Sequence, residues 1–252
     1  MSQEQLLQLG FKFGKNGAHS ARSMMIEELK HLLLSRDKSA IKSDYEDDII
    51  NFNLLHKPTE KSRKLTYRHL VDLYSLDTQV TLFNVFRKWW ELDENAQAIL
   101  ALQLAVARDP LLRSSTEVIL QLEPGERLAR ETMEAFLAKD DPERFSPASL
   151  KSFSQNINGT WTQAGFLIGK AKKYREIPKM SYVNVAYALF LGHCHGLSGQ
   201  RLFDSFWCQM LDQDKETLYN LAYRASLRGL LNFKQASDIV EVTFPHFELS
   251  GA

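Results

Sequence analysis

The hydrophobic pattern of residues 178–245 predicts three helices followed by a β-hairpin. An apolar run at 182–191 indicates a first, buried helix. A second helix is predicted after Ser198, a residue type that often precedes a helix start. Its bulky side chains recur at helical spacing, at Leu202, Phe203, Phe206, Trp207 and Met210. A third helix is predicted from 212–214 to near Gly229. This order of elements is typical of a winged helix-turn-helix.

The third helix has two distinct faces when its residues are placed about 100° apart. Small or aliphatic side chains fall on one side, which we assign to the core: Leu218, Leu221, Ala222 and Ala225. The opposite side carries Asn220, Tyr223, Arg224 and Leu227, with Tyr219 and Arg228 on the flanks. Amide, phenol and guanidinium groups can contact base edges and phosphates. This face is therefore a candidate DNA-binding surface.

After the third helix the pattern changes to an alternation of period two, which predicts strands. Leu231 and Phe233 alternate in a first strand, and 235–238 is the predicted turn. The second strand is predicted from Val240, Val242 and Phe244. Such a hairpin would be the wing. The candidate DNA contacts of this unit are Asn220, Tyr223, Arg224, Arg228 and Lys234. A three-helix domain that only docks other proteins is the alternative.

The preceding part of the chain shows hydrophobic residues at helical spacing and no alternating segment, so it is predicted to be entirely helical. In particular, 126–138 is predicted as its last helix. Lys139–Pro142 is the most linker-like point. We therefore predict an all-helical domain at 1–141 and a winged helix-turn-helix-like domain at 142–252. The fold class is mainly α: an N-terminal helical bundle plus a C-terminal helix-turn-helix or winged-helix unit with a small β-hairpin.

The second predicted domain begins with a strong helix signal, because Pro147 follows Ser146 at the first helical position. This helix is predicted to end near Asn156. Asn158–Gly159 then predicts a turn, and a second short helix is predicted up to Gly169. Two helices joined by a tight turn again have the outline of a helix-turn-helix.

Charge limits where a nucleic acid could bind. The chain has 31 basic and 31 acidic residues, so only local patches could attract phosphates. The most concentrated patch follows the short helix and contains Lys170, Lys172, Lys173 and Arg175. A second basic segment, at 56–68, contributes the candidates Lys61, Arg63 and Lys64. Trp161 and Tyr174 lie near the first patch in sequence and favour a binding surface over a merely solvated connector.

Other classes of protein are disfavoured. Two cysteines are too few for a disulfide framework, and no signal peptide or membrane-spanning run is present, which predicts a cytoplasmic protein. Nucleotide-binding loops and common catalytic motifs are absent from the sequence. His193, His195 and the two cysteines, Cys194 and Cys208, do not have the spacing of common zinc sites. We therefore predict no cofactor, no metal and no enzymatic activity.

Several segments resemble the BrxA family of BREX phage-defence systems: 17–25, 63–70, 107–113, 158–165 and the block 203–242. The resemblance implies a cytoplasmic, non-enzymatic component that binds double-stranded DNA. It also implies that the protein acts with other BREX subunits, namely a methyltransferase, an ATPase and a phosphatase-like protein, in host-DNA methylation and phage exclusion. The family's helical part has been likened to the RNA-binding factor NusB, so RNA remains an alternative ligand. A protein adaptor within the same complex is the second alternative.

Overall fold

The computed structural model describes residues 1–237 and 239–247, and the chain is mainly helical. The first part contains α1 (Gln3–Leu9), α2 (Ile26–Leu34), α3 (Lys42–Ile50), α4 (Glu60–Tyr74), α5 (Thr81–Trp89), α6 (Gln97–Arg108), α7 (Pro110–Ser114), α8 (Thr116–Leu120) and α9 (Arg130–Ala138). Single 3-10 turns lie at Ala18–Ser20 and Glu94–Ala96. The second part contains α10 (Pro147–Gln163), α11 (Tyr182–Cys194), α12 (Gln200–Phe203), α13 (Phe206–Gln209) and α14 (Lys215–Ser226).

Two small antiparallel sheets accompany the helices. The strands are β1 (Arg127–Leu128), β2 (Leu167–Ile168), β3 (Lys173–Arg175), β4 (Asn232–Ala236) and β5 (Ile239–Thr243). The first sheet has the order β1-β3-β2, with Arg127 opposite Tyr174 and Leu167 opposite Arg175. The prediction of a helix over 126–138 is therefore wrong at its start, where β1 precedes α9. Strands of two or three residues are too short to produce a detectable alternation.

A single helix, α10, replaces the two helices predicted on either side of Asn158–Gly159. Its predicted start is confirmed, because the Ser146 hydroxyl accepts from the Ser149 amide and Pro147 occupies the first turn. Ile157 and Trp161 are fully buried, and the helical phase between them must be kept for both to reach the core. Tertiary packing therefore overrides the local turn preference of Asn-Gly.

The C-terminal elements follow the predicted order, with one difference. The second helix is interrupted, because the Ser205 hydroxyl accepts from the Cys208 amide and begins α13 as a separate turn. In α14 the predicted core face is buried and the opposite face is exposed. The β4-β5 hairpin is also confirmed, with Phe233 opposite Val242. Its turn is tighter than predicted, since β4 extends to Ala236; Asp238 of the predicted turn lies outside the described residues.

The hydrophobic core continues across the predicted domain boundary. Helix α11 is buried on nearly all sides and packs against α5 and α6 of the first part. Polar contacts reinforce this packing: the Gln103 amide donates to the Asn184 carbonyl at 2.8 Å, and the Tyr187 hydroxyl donates to the Leu82 carbonyl at 2.9 Å. The division into 1–141 and 142–252 stays a prediction about independent folding, and these shared contacts count against it.

No helix within residues 1–237 and 239–247 is both long and apolar enough to cross a membrane.

Candidate nucleic-acid interface

Pairing of β1 with β3 creates a cleft that the sequence pattern did not reveal. The cleft encloses about 490 Å³ between this sheet edge, the start of α9 and one side of α10. Its basic residues are Arg127, Arg130, Lys170, Lys172 and Lys173, whereas Glu131 is the single carboxylate in its described lining. We call this feature the basic cleft. It brings two arginines from before and within α9 next to three lysines that lie about 40 residues later in the chain.

The five basic side chains of the cleft are not equally free. Arg130 is held by Glu134 at 2.8 Å and by Glu131 at 3.2 Å. The Lys173 ammonium donates to the Gly169 carbonyl at 2.7 Å, and partial burial lowers its pKa. The other three, Arg127, Lys170 and Lys172, are exposed and have no ion pair or hydrogen bond to any described side chain. These three cations are available to an incoming anion.

The wall of the cleft also carries an amide with spare hydrogen-bonding capacity. Asn158 lines the cleft together with Gln155, and both project from α10. The Asn158 side chain is buried, and its Oδ1 atom has no hydrogen-bond partner among the described residues. That oxygen is buried and can only accept a hydrogen bond, so it offers no contact to a phosphate, which also only accepts. The cleft can therefore bind an anion through its exposed cations and the exposed Gln155 side chain.

Arg175 belongs to the predicted basic patch, but its side chain is only 1% exposed. Its guanidinium donates to the Ile119 carbonyl at 3.0 Å, stacks over the Phe166 ring and pairs with Asp212. Burial lowers the pKa of Arg175, and the charge of Asp212 opposes this effect. The burial counts against a DNA contact by Arg175. Its position instead ties β3 to the segment before α14.

The outer face of α14 and the hairpin form a second candidate surface. A shallow groove runs between them and is lined by Tyr219, Asn220, Tyr223, Phe233, Lys234 and Gln235. Asn220, Tyr223 and Arg224 are exposed, as the helical pattern predicted. The Tyr219 hydroxyl donates to the Gln200 side chain, which links α14 to α12. The groove thus joins polar groups of α14 to one strand of the hairpin.

Most of the other side chains that were predicted to contact DNA already contact groups within the protein. Arg228 stacks over the Tyr182 ring at 4.5 Å, and Lys234 lies 3.7 Å from a Glu241 carboxylate oxygen. In the N-terminal basic segment, now part of α4, Arg63 donates to the Ile50 carbonyl at 2.6 Å. Lys64 pairs with Glu60, whereas Lys61 is exposed and has no such partner in the described chain. These side chains do not form one continuous patch with the basic cleft.

A buried polar network joins distant parts of the chain. His19 donates its Nδ1 hydrogen to the Asp109 carboxylate, 2.8 Å away, because an ionised carboxylate only accepts. Its Nε2 atom lies 2.7 Å from the Thr160 hydroxyl, which also accepts from the Met24 amide. Burial raises the pKa of Asp109, but the hydrogen bonds and charge of His19 and backbone donors outweigh it, so the pKa is lowered.

The side chains of Thr160, His19 and Asp109 are arranged like the nucleophile, base and acid of a catalytic triad. All three, however, have zero exposure. No substrate can reach the Thr160 hydroxyl in this arrangement, so we assign the network to structure. Four segments, 17–25, 63–70, 107–113 and 158–165, meet around it: His19 and Asp109 bond to each other, His19 reaches Thr160, and the Arg22 guanidinium donates to the Thr66 hydroxyl. Segments that are far apart in sequence therefore form one unit.

The histidine and cysteine cluster at the end of α11 belongs to the core. Cys194 and Cys208 are buried, free thiols, and burial raises the pKa of Cys208 to about 12. Burial lowers the pKa of His193 and of His195. In the part of the chain that the structure describes, no group of three or more His, Cys, Asp or Glu residues could hold a metal ion.

The polar cleft residues that the sequence pattern missed include Arg127, Arg130, Gln155 and Asn158. Arg127 lies in a two-residue strand without periodic signal, and only its pairing with β3 places it beside the lysines. Asn158 was assigned to a turn because Asn-Gly favours turns. A search for isolated basic residues within short loops would have found Arg127, but not its neighbours.

Comparison with known proteins gives no further assignment: no model of a protein family matches the chain, and no curated protein matches it.

Proposed function

We propose that this protein binds duplex DNA, without enzymatic activity, and that the basic cleft contacts the phosphate backbone. The observation that carries the proposal is the set of three exposed cations, Arg127, Lys170 and Lys172, on a chain whose net charge is zero. Phosphate contacts supply most of the affinity of non-specific DNA binding. A local cluster of free cations is suited to this role.

We further propose that α14 and the β4-β5 hairpin form a winged-helix surface that approaches the bases. Asn220 and Arg224 project from the exposed face of α14, and Lys234 extends from the neighbouring strand. Asn and Arg are the side chains that form bidentate contacts with adenine and guanine in the major groove. Sequence preference would therefore depend on α14, whereas the cleft would bind any sequence.

A protein adaptor is the second candidate, and a specific observation favours it. Tyr223, Leu227 and Ile239 are 55%, 68% and 75% exposed, although all three are large and apolar. Tyr223 and Leu227 lie one helical turn apart on the outer face of α14, and adjoining exposed apolar side chains are typical of protein-docking surfaces. The same part of the fold could therefore dock another subunit while the basic cleft holds a nucleic acid.

We place this activity in a bacterial BREX anti-phage system, on the strength of the resemblance of its segments to the BrxA family. The convergence of those segments on one polar network supports treating them as a single unit. In this role the protein would position the other BREX subunits on DNA. RNA is retained as an alternative ligand because the duplex contacts proposed for the cleft rest on phosphates, which RNA also carries.

The test is a salt titration of duplex binding. Replacing Arg127, Lys170 and Lys172 together with alanine should lower duplex affinity at least about tenfold, because charged hydrogen bonds contribute about 1.5–3 kcal/mol. The slope of log affinity against log salt should fall by about 0.9 for each phosphate that the variant no longer neutralises. A triple variant of exposed lysines outside the cleft, Lys15, Lys42 and Lys139, is the matched control and should bind like the parent.

Two further arms separate the alternatives. Arg224→Ala should reduce the preference for the best duplex sequence by about 1–3 kcal/mol while leaving stability unchanged. Leu227→Glu should instead abolish co-purification with co-expressed BREX subunits if α14 is an adaptor face. Tighter binding of RNA than of duplex DNA by the parent, or an unchanged salt slope in the cleft variant, would contradict the proposal.

A further inference from the structure

A second cavity, distinct from the basic cleft, lies between the N-terminal segment, α4 and the end of α6. It encloses about 560 Å³, which is within the range of small-molecule sites. Among the described residues that line it, the cations are Lys12, Arg22, Arg68 and Arg108, and the single carboxylate is Asp72. We call it the arginine cavity. Arg68 belongs to the basic segment 56–68 of the sequence analysis, whereas Lys12, Arg22 and Arg108 were not predicted to contact a ligand.

Arg108 is the unusual member of this set. Its side chain is buried, yet no carboxylate lies within ion-pair distance of it among the described residues. Its guanidinium donates only to backbone carbonyls, those of Gly10 at 2.6 Å and Val71 at 3.3 Å, and its Nε atom has no partner. A buried charge without a counter-ion is strongly unfavourable. An anion in the cavity would supply the missing partner.

The other charges of the cavity leave an excess of positive charge. Asp72 is paired with Lys12 at 3.2 Å, and its charge acts on Arg108 only from beyond ion-pair distance. Arg22 donates to the neutral Thr66 hydroxyl at 3.1 Å, and Arg68 is exposed without a hydrogen bond to the described residues. Burial lowers the pKa of His69, so this fifth basic group is neutral near pH 7. Three arginines therefore face the cavity without a carboxylate partner in it.

The rest of the lining suits a ligand with an aromatic part. Phe13 lines the cavity with its ring partly exposed, and the Arg113 guanidinium lies 5.4 Å from the ring centre. Leu65, also exposed, lines the same space. Aromatic side chains stack favourably on nucleobases. Guanidinium groups are well suited to phosphate, because their donors match its oxygens in bidentate geometry.

We propose that the arginine cavity binds a nucleotide, with the phosphate held by Arg22, Arg68 and Arg108 and the base placed against Phe13. This site is separate from the proposed DNA interface and does not depend on it. A bound nucleotide would give the protein a small-molecule input that acts through the segment between α1 and α2, which forms one wall of the cavity.

The experiment compares AMP, adenosine and inorganic phosphate by thermal unfolding and titration calorimetry at constant ionic strength. AMP at ten times its dissociation constant should raise the Tm by about 3–6 °C. Inorganic phosphate should give a smaller rise, and adenosine the smallest. Arg68→Gln and Arg22→Gln should each weaken AMP binding about 10- to 100-fold, as expected for the loss of a charged hydrogen bond.

Matched variants keep the test independent of folding. Lys61→Gln removes a positive charge from the same helix as Arg68 but lies outside the cavity lining, and it should bind AMP like the parent. Asp72→Asn should bind AMP several-fold more tightly, because it removes the single carboxylate among the described residues that line the cavity. Arg108 is left unchanged because its substitution would disturb the core.

Three results would overturn the proposal. AMP could raise the Tm no more than sodium chloride of equal ionic strength. Arg68→Gln and Arg22→Gln could both keep parental AMP affinity. A duplex with a 5′ phosphate could compete for the cavity where AMP does not, which would assign the site to a DNA end instead of a nucleotide. Loss of duplex binding in the cleft variant bears on none of these measurements.

Discussion

The basic cleft and the arginine cavity carry similar numbers of cations but hold them in different ways. In the cleft, the free cations Arg127, Lys170 and Lys172 are exposed, and the most restrained arginine is neutralised by glutamates. In the cavity, Arg108 is buried and fixed by two backbone carbonyls. The first arrangement leaves the cations hydrated, whereas the second removes a guanidinium from water and holds it by two hydrogen bonds.

This difference separates two kinds of anion recognition. Exposed lysines interact with a polyanion through screened, salt-sensitive contacts, and they tolerate a ligand that slides. A buried guanidinium with a planar donor set instead favours a discrete phosphate in one orientation. Charge alone therefore does not define a site, because burial and restraint decide which anion fits.

The basic cleft and the arginine cavity both adjoin the buried network of His19, Asp109 and Thr160. Disrupting this network should have the largest effect on stability and binding. Asp109 accepts from the His19 amide at 2.8 Å and from the Leu111 amide at 2.9 Å, in addition to the His19 ring. Asp109→Ala should lower the free energy of unfolding by about 3–5 kcal/mol, the usual cost of breaking a buried pair. Both duplex and AMP binding should weaken, measured beside urea denaturation.

The loss of stability should follow the removal of the buried Asp109 carboxylate and not the removal of an exposed carboxylate. Asp140→Ala removes an exposed acid and should change stability by less than about 0.5 kcal/mol. Gly17→Ala should reproduce the defect, because a Cβ at Gly17 would lie 1.7 Å from an Asp109 oxygen that its hydrogen bonds hold in place. A stable Asp109→Ala protein would show that the two regions do not depend on this network.

A smaller effect on stability should distinguish Arg175 from Lys172, which belong to the same basic run. Arg175→Met should lower the free energy of unfolding by about 2–3 kcal/mol, because the buried Ile119 carbonyl loses its guanidinium donor. Lys172→Met should leave stability within about 0.5 kcal/mol of the parent and reduce duplex affinity instead. Equal stabilities of the two variants in urea denaturation would mean that Arg175 is as dispensable as an exposed lysine.

The smallest effect concerns pH and the wall of the arginine cavity. Burial lowers the pKa of His69, while its hydrogen bond to the Ser23 carbonyl opposes this shift and the charge of Arg22 reinforces it. The unfolded chain therefore binds a proton more readily, so His69 destabilises the fold as the pH falls below its ordinary pKa of about 6.5. In His69→Gln, the free energy of unfolding should depend less steeply on pH between 7.5 and 5.5 than in the parent. The difference in slope should correspond to less than one bound proton.

Urea denaturation at several pH values measures this slope. The parent and His69→Gln should run in parallel between pH 7.5 and 8.5, where the histidine is neutral in both folded and unfolded chains. If the parent and the variant show the same slope of unfolding free energy against pH below pH 7, His69 is protonated as readily in the folded chain as in the unfolded chain. AMP binding measured at the same pH values would then report on the cavity wall directly.

How far the sequence predicts this protein depends on the range of the interactions involved. The exposed and buried faces of α14 follow from a period of 3.6 residues, and the alternation after Gly229 predicted the hairpin. Both are properties of neighbouring residues. The start of α10 at Ser146-Pro147 was likewise predictable, because capping involves only the first turn.

Other features were decided only by contacts between distant segments. Asn158–Gly159 stays helical because Ile157 and Trp161 must both reach the core, and the short strand β3 exists because β1 pairs with it. The same contacts decide that Arg175 is buried while Lys172 is exposed, although both belong to one basic run. Sequence gives each side chain its charge and its local helix or strand preference. Which cations remain free to bind an anion depends on carbonyls and carboxylates that only the tertiary structure brings within reach.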